Sequence, residues 1–155
     1  TPVISQNQLE KVEGYARSGI QQGAEAVHGG KRVDREGYFM EATVLNNVSK
    51  KMTVAREEIF GPVLSVLEYE EQEEAISIAN DTDYGLGAGV FTKDLNKASW
   101  TASKLEAGQV YVNKWFTGSH ATPFGGYKQS GYGREKGVDA LKSYLQVKNV
   151  GISLG

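Results

Sequence analysis

Gly87-Ala88-Gly89-Val90-Phe91 and, further along, Gln109-Val110-Tyr111-Val112-Asn113 are two short runs of strand length separated by one helical pattern. Between them Asp94 stands where an N-cap would, and Leu95, Ala98, Ala102 and Leu105 fall on one face of a 3.6-residue period. A strand, a crossover helix and a second strand at this spacing predict a parallel pair with a right-handed connection. The same unit precedes it: Val63-Leu64-Ser65-Val66-Leu67 reads as a strand, and a helix is expected from Glu71 to Ala79. Its acidic start complements the helix dipole. The run from Val63 to Asn113 thus predicts strand-helix-strand-helix-strand with parallel strands, and an α/β fold.

Toward the N-terminus, Gln8 to Gln22 carries Leu9, Val12, Ala16, Gly19 and Ile20 on one helical stripe, with Gly23 at the left-handed C-cap position. Ala24 to His28 reads as a strand, Gly29-Gly30 as a turn, Lys31 to Gly37 as a polar loop, and Phe39 to Leu45 as a strand ending at Asn46-Asn47. Toward the C-terminus, Lys114 to Gly133 is a glycine-rich loop interspersed with Trp115, Phe116, Phe124, Tyr127 and Tyr132. Long loops in compact domains are usually functional or disordered, and the aromatics argue against disorder. A helix is expected from about Arg134 to Lys142, with Val138 and Leu141 inward, and Tyr144 to Ile152 alternates like a closing strand.

The chain has 155 residues, 39% of them hydrophobic and 23% charged, which fits one soluble globular domain. No cysteine occurs, so the chain itself has no disulfide, thiolate metal site or cysteine nucleophile. That fits a reducing compartment, and a cytoplasmic location is expected. No apolar run approaches the ~20 residues of a membrane helix. From Val110 onward there are six Lys or Arg against Glu135 and Asp139, about +4; the rest carries eleven bases and seventeen acids, about −6. The basic third lacks the dense cationic face with stacking platforms that nucleic acid requires. The first residue is Thr1, with no initiator methionine, and excision from a longer chain is expected.

Glycine-rich spacing invites a nucleotide reading that the details do not support. Gly131-x-Gly133-x-x-x-Gly137 places its third glycine one residue late, with no strand leading directly into it. Gly85-x-Gly87-x-Gly89 lies before or within a strand rather than before a helix. Neither reads as a phosphate cradle. His28 and His120 are remote from each other and read as ordinary histidines; Ser119-His120 has no identifiable orienting acid. No zinc-ligand spacing is present, and no metal is expected.

Two stretches carry a sharper signal. Pro123-Phe124-Gly125-Gly126-Tyr127-Lys128-Gln129-Ser130-Gly131-Tyr132-Gly133-Arg134-Glu135 and Glu57-Glu58-Ile59-Phe60-Gly61-Pro62-Val63 resemble hallmark segments of the aldehyde dehydrogenase family. Tyr84-Gly85-Leu86, Val90-Phe91-Thr92-Lys93-Asp94 and Val112-Asn113 match further family patterns in the same order. The resemblance covers nearly the whole chain.

It implies a three-layer, parallel-sheet catalytic lobe without the dinucleotide-binding domain: residues 1–143 as the C-terminal portion of the catalytic domain, 114–133 as its substrate loop, and 144–155 as an oligomerisation strand joining a neighbouring subunit's sheet. It implies that Glu58 accepts hydrogen bonds from the nicotinamide ribose, that Phe60 lies beside the nicotinamide and that Leu86 is near the cofactor, NAD or NADP. Phe124 would line the acyl pocket, and Trp115 and Phe116 the substrate entrance. Glu135 would belong to a proton pathway in some members; Lys128 and Arg134 read as structural. In the family a cysteine attacks the aldehyde, hydride passes to nicotinamide, and water releases the acid from a thioester. The cysteine, the general-base glutamate and the Gly-Gly cofactor segment normally precede the part matched here. The chain alone is therefore expected to be inactive, to leave an apolar surface exposed and to self-associate, while the longer parent is expected to be a homo-oligomer, dimer or tetramer, acting on a small aldehyde. A non-catalytic binding or assembly module, or a reductase of acyl phosphates or acyl thioesters on the same fold, are the alternative readings.

Overall fold

Ser5 opens the first helix, its hydroxyl accepting a hydrogen bond from the Gln8 amide at 3.2 Å. In the computed structural model, which describes residues 2–155, this helix, α1, spans Gln6–Gln21. It ends as the sequence predicts. Gly23 adopts φ +110°, its amide bonds to the Ile20 carbonyl, and the Ala24 amide reaches back to Gly19, which satisfies the last-turn carbonyls. The buried stripe is Leu9, Val12, Ala16 and Gly19.

The chain forms two compact units, the first ending at Asp81 and the second running from Thr82 to Gly155. In the first, strands β1 (Glu25–His28), β2 (Thr43–Asn46) and β3 (Val63–Ser65) form one sheet in that order. β1 pairs antiparallel with β2, and β2 pairs parallel with β3, placing Leu45 opposite Ser65. The single-turn α2 (Thr53–Arg56) and α3 (Gln72–Asn80) complete the unit. Its core gathers α1 against β2 and α2 through Leu9, Val12, Ala16, Leu45, Val54 and Ile59. Thr43 is buried at the start of β2, its hydroxyl donating to the Glu41 carbonyl and accepting from the Gly30 amide.

In the second unit, β5 (Gly87–Val90) and β6 (Gln109–Val112) are parallel and joined by α4 (Leu95–Lys104), capped by the Asp94 carboxylate. β4 (Tyr84–Gly85) pairs antiparallel with β7 (Tyr127–Lys128). A 3-10 helix spans Val138–Tyr144.

Four expectations are corrected. The strand at Val63 does not continue one parallel series into β5; its partner is β2, in a separate sheet. That pairing rests on residues far apart in sequence, where local patterns carry no register information. The expected strand Phe39 to Leu45 shifts to Thr43–Asn46, with Met40 making only an isolated bridge to Arg32. The helix expected from Arg134 starts instead at Val138, because Lys136 and Gly137 both have positive φ, +60° and +58°, which a right-handed helix excludes. Finally, the strand expected over Tyr144 to Ile152 is absent within the chain: Tyr144 closes the 3-10 helix and residues 145–155 carry no regular structure. A strand needs a backbone partner, and the described residues supply none to this segment.

Leu45 is fully buried. Its replacement by Ala is expected to lower unfolding free energy by about 2–5 kcal/mol, read as a lower urea midpoint at unchanged slope. Gly61 faces the buried Val12 side chain so closely that a Cβ would overlap it. Gly61→Ala is therefore expected to cost about 1–3 kcal/mol by overpacking, whereas a neutral result would mean that this loop lies free of α1.

Candidate functional site

The segment between α2 and β3 is held by one buried side chain and by hydrogen bonds to its carbonyls. Ile59 is buried in the core, and the Gln8 side-chain amide donates to the carbonyls of Ile59 (3.2 Å) and Phe60 (3.0 Å). Pro62 offers its carbonyl to the Thr43 amide at 2.8 Å, fixing the approach to β3. These bonds hold Phe60 at φ +56°, a left-handed backbone that costs a bulky residue roughly 1–3 kcal/mol, with its ring 74% exposed. The result is a concavity of about 380 Å³ lined by Val54, Glu57, Glu58, Ile59, Phe60 and Ser65 among others.

The two glutamates of this concavity have different fates. Glu57 accepts a 2.6 Å hydrogen bond from the Tyr15 hydroxyl on α1. Glu58 makes no side-chain hydrogen bond or ion pair among the described residues and is exposed. Its carboxylate thus keeps both oxygens available as acceptors, which suits a vicinal diol and repels a phosphate. An exposed aromatic face beside it suits a planar heterocycle. Together they suit a ligand that carries a vicinal diol beside a planar ring.

In the second unit, Asn113 turns the chain at the end of β6 with φ +54°, its side chain clamping the Thr92 backbone through two 2.8 Å bonds. Trp115 and Phe116 follow, and Phe116 has φ +55°. Tyr111, only 7% exposed, is the hub: its ring lies 5.5 Å from Trp115, edge to face, and 6.2 Å from Phe116. Phe116 in turn meets Phe124 at 6.4 Å, edge to face, and the Lys136 ammonium lies 5.2 Å from the Phe124 ring centre. Each aromatic pair of this kind contributes about 0.5–1.5 kcal/mol beyond area burial.

Phe124 and Glu135 exchange two backbone hydrogen bonds of 2.7 Å, and the Gly137 amide bonds to the His120 carbonyl. Arg134 donates from one guanidinium nitrogen to the carbonyls of Gly126, Tyr132 and Gly133 at 2.8–3.3 Å. Lys128 pairs with Glu106 at 2.7 Å and reaches the Thr82 carbonyl. Both cations are structural, as their sequence context suggests. A second cavity, about 660 Å³, has Leu86, Phe124, Ser130, Glu135, Lys136 and Tyr144 on its walls. Glu135 is exposed there and has no side-chain partner among the described residues. On the 3-10 helix, the Lys142 ammonium hydrogen-bonds Asp139 at 2.6 Å, which holds that carboxyl below and the amine above its usual range. The carboxylate's contribution is present above its unfolded pKa and is lost as pH falls through the folded value.

Of the residues singled out by sequence, Glu58 and Phe60 share the first concavity, Trp115, Phe116 and Phe124 form one aromatic series, and Leu86, Phe124 and Glu135 share the second cavity. The hydroxyl of Ser119 accepts the Ala121 amide within a turn, a structural use. Sequence reading missed Tyr111, Tyr15, Asn113 and Lys136. Only Tyr111 carries a local signal, an aromatic within a strand; the others act through partners distant in the chain.

Comparison with known proteins gives these features a common origin. Residues 1–150 match the family model described as the aldehyde dehydrogenase family. An aldehyde dehydrogenase of Davidiella tassiana is 46% identical over 154 residues, covering 99% of this chain and 31% of that protein. Among solved structures, an NAD-dependent aldehyde dehydrogenase from Sinorhizobium meliloti superposes with a TM-score of 0.94 at 42% identity, over 99% of this chain and 31% of that one. An indole-3-acetaldehyde dehydrogenase of P. syringae, in complex with NAD+ and IAA, superposes with a TM-score of 0.93 at 46% identity and the same coverage. The chain thus spans about a third of the length of these relatives. A family match over residues 1–150, with relatives 42–46% identical over 99% of the chain, means that the chain belongs to the aldehyde dehydrogenase family.

Proposed function

We propose that the chain is the C-terminal part of an NAD(P)-dependent aldehyde dehydrogenase, supplying the nicotinamide-side carboxylate and the aromatic substrate wall of an enzyme that oxidises an aldehyde to a carboxylic acid. The observation that carries this reading is the division of labour between adjacent glutamates. Tyr15 engages Glu57, while Glu58 stays unpartnered among the described residues, beside a phenylalanine held in left-handed backbone. Structure spent on displaying one carboxylate and one ring is expected where a ligand is bound.

In this reading Glu58 accepts hydrogen bonds from the ribose hydroxyls, and Phe60 offers its ring beside the nicotinamide. A nicotinamide held there would supply the hydride acceptor for the oxidation of the aldehyde carbon. Trp115, Phe116 and Phe124 exclude water from an apolar aldehyde and orient its carbonyl. Leu86 would add apolar surface near the cofactor, and Glu135, exposed in the second cavity, would belong to a proton pathway. The chain has no cysteine, so a thiolate nucleophile must come from elsewhere in the polypeptide. Residues 1–143 would belong to the catalytic domain, with 114–133 as its substrate loop. Residues 144–155, whose apolar side chains Leu145, Val147, Val150 and Ile152 are exposed, would pair with a neighbouring subunit of a homo-oligomer.

The isolated chain is expected to reduce no NAD with any aldehyde, measured at 340 nm, and turnover by the pure chain would sink the proposal. In a longer polypeptide carrying this sequence and the nucleophile, Glu58→Gln is expected to raise the KM for NAD by about ten- to a hundredfold, the cost of one charge-assisted hydrogen bond. The aldehyde KM should hold. An unchanged KM for NAD would remove Glu58 from the cofactor site. Deleting residues 145–155 is expected to reduce the assembly to smaller species by light scattering, and an unaltered mass would exclude this segment from the subunit contact.

A further inference from the structure

The glycine triplet Gly85-x-Gly87-x-Gly89 has no phosphate to bind, yet its spacing is not explained by backbone conformation. None of the three has positive φ. Gly85 is accounted for by crowding, since a Cβ there would lie 2.5 Å from the Glu106 carbonyl oxygen. Gly87 and Gly89 differ. They are exposed, they alternate along β5 with the half-buried Ala88 and Val90, and so they share one face of the strand. Glycine in a strand interior is a liability that calls for a reason.

The reason lies above them. A Cβ on Gly89 would stand 3.3 Å from both Cε3 and Cζ3 of Trp115, and one on Gly87 would stand 3.9 Å from Cη2. The first is inside the ordinary carbon–carbon contact of roughly 3.5–4.0 Å. The indole therefore lies along the bare backbone of β5. Tyr111 faces Gly89 across the β5/β6 pair and abuts Trp115 from the side, and it is buried although its neighbour has no side chain to cover it. Glycine floor and tyrosine flank together fix where the indole can sit.

We propose that Gly87 and Gly89 form a seat for the Trp115 indole and act as positioning residues for the substrate wall, setting the room available to ring-bearing aldehydes. The functional half of this proposal rests on the reading given under Proposed function. The seat does not.

The decisive variant is Gly89→Val. Valine favours strands over glycine, so without a seat the change is expected to be neutral or stabilising. With a seat, the isopropyl group displaces the indole. In a Trp100→Phe background, which leaves Trp115 as the remaining tryptophan, the near-UV circular dichroism of the chain should lose its tryptophan band and acrylamide quenching should rise, with the far-UV spectrum retained. Gly14→Ala, at a helical site with open space around it, is the control and should leave the tryptophan signal alone. An unchanged Trp115 signal in Gly89→Val overturns the seat, whatever the enzymatic result. In the longer polypeptide, Gly89→Val is expected to raise the KM for phenylacetaldehyde about tenfold while leaving acetaldehyde unaffected, and to have no further effect once Trp115→Ala is present. Equal changes for both aldehydes, or the same change in the Trp115→Ala background, would overturn the positioning role. A longer polypeptide that oxidised neither aldehyde would instead overturn the dehydrogenase reading, and the Trp115 signal would still decide the seat.

Discussion

Three backbone carbonyls converge on one nitrogen of Arg134, and the shape of the glycine-rich loop depends on that convergence. Residues 114–137 bury almost nothing; Gly126 is the one residue of the stretch that is fully enclosed. A loop with so little apolar contact cannot be held by the hydrophobic effect. It is held by polar bonds instead: the guanidinium, the paired amides of Phe124 and Glu135, the Gly137 amide on His120, and Lys128 on Glu106. A planar donor that keeps its charge at all working pH values suits this task better than lysine would. The aromatic rings can then face outward as a wall, because they are not needed as a core.

The first unit solves the same problem differently. Its loop from Glu57 to Pro62 is anchored by Ile59 in a true core and by one glutamine side chain from α1, and it displays Phe60 at the cost of a left-handed backbone. In both units the residues offered to solvent are those that the surrounding bonds leave over. Tyr15 engages Glu57 and leaves Glu58 unpartnered among the described residues; Trp115 is presented because β5 supplies only backbone beneath it.

What could be read from sequence follows the range of the interactions. The C-cap of α1, the N-cap of α4, the β5/β6 pair joined by a single short crossover, and most of the buried stripe of α1 depend on neighbours within a few residues, and these are legible; the Ser5 N-cap is not read, and Ile20, expected on the stripe, is exposed. The partner of β3 is not legible, because Val63 meets Thr43 through a register that no local pattern encodes. Nor is β7, two residues inside an apparent loop that become a strand only by meeting Tyr84 and Gly85. The alternation of Tyr144 to Ile152 is a genuine strand pattern without a partner in the chain. At the site, the glycine and aromatic hallmarks point to segments that the structure gathers around two cavities. The family resemblance singles out Glu58, but the Tyr15 bond that engages Glu57 has no local signal, and the glycine spacing on β5 acquires meaning only from Trp115, far along the chain.

Burial is unequally shared. The first unit holds a core of nine buried apolar residues, whereas in the second only Gly85, Ala98, Tyr111 and Gly126 are enclosed. Heat capacity of unfolding follows the apolar area exposed, so the second unit contributes a small share of it and little curvature to the stability profile. Its hydrogen-bonded loop is the part of the chain whose opening costs least, and amide exchange would register it as a separate, weakly protected population. The aromatic series of the second unit is thereby the region free to adjust, while Glu58 and Phe60 on the first unit stand on the stiffer ground.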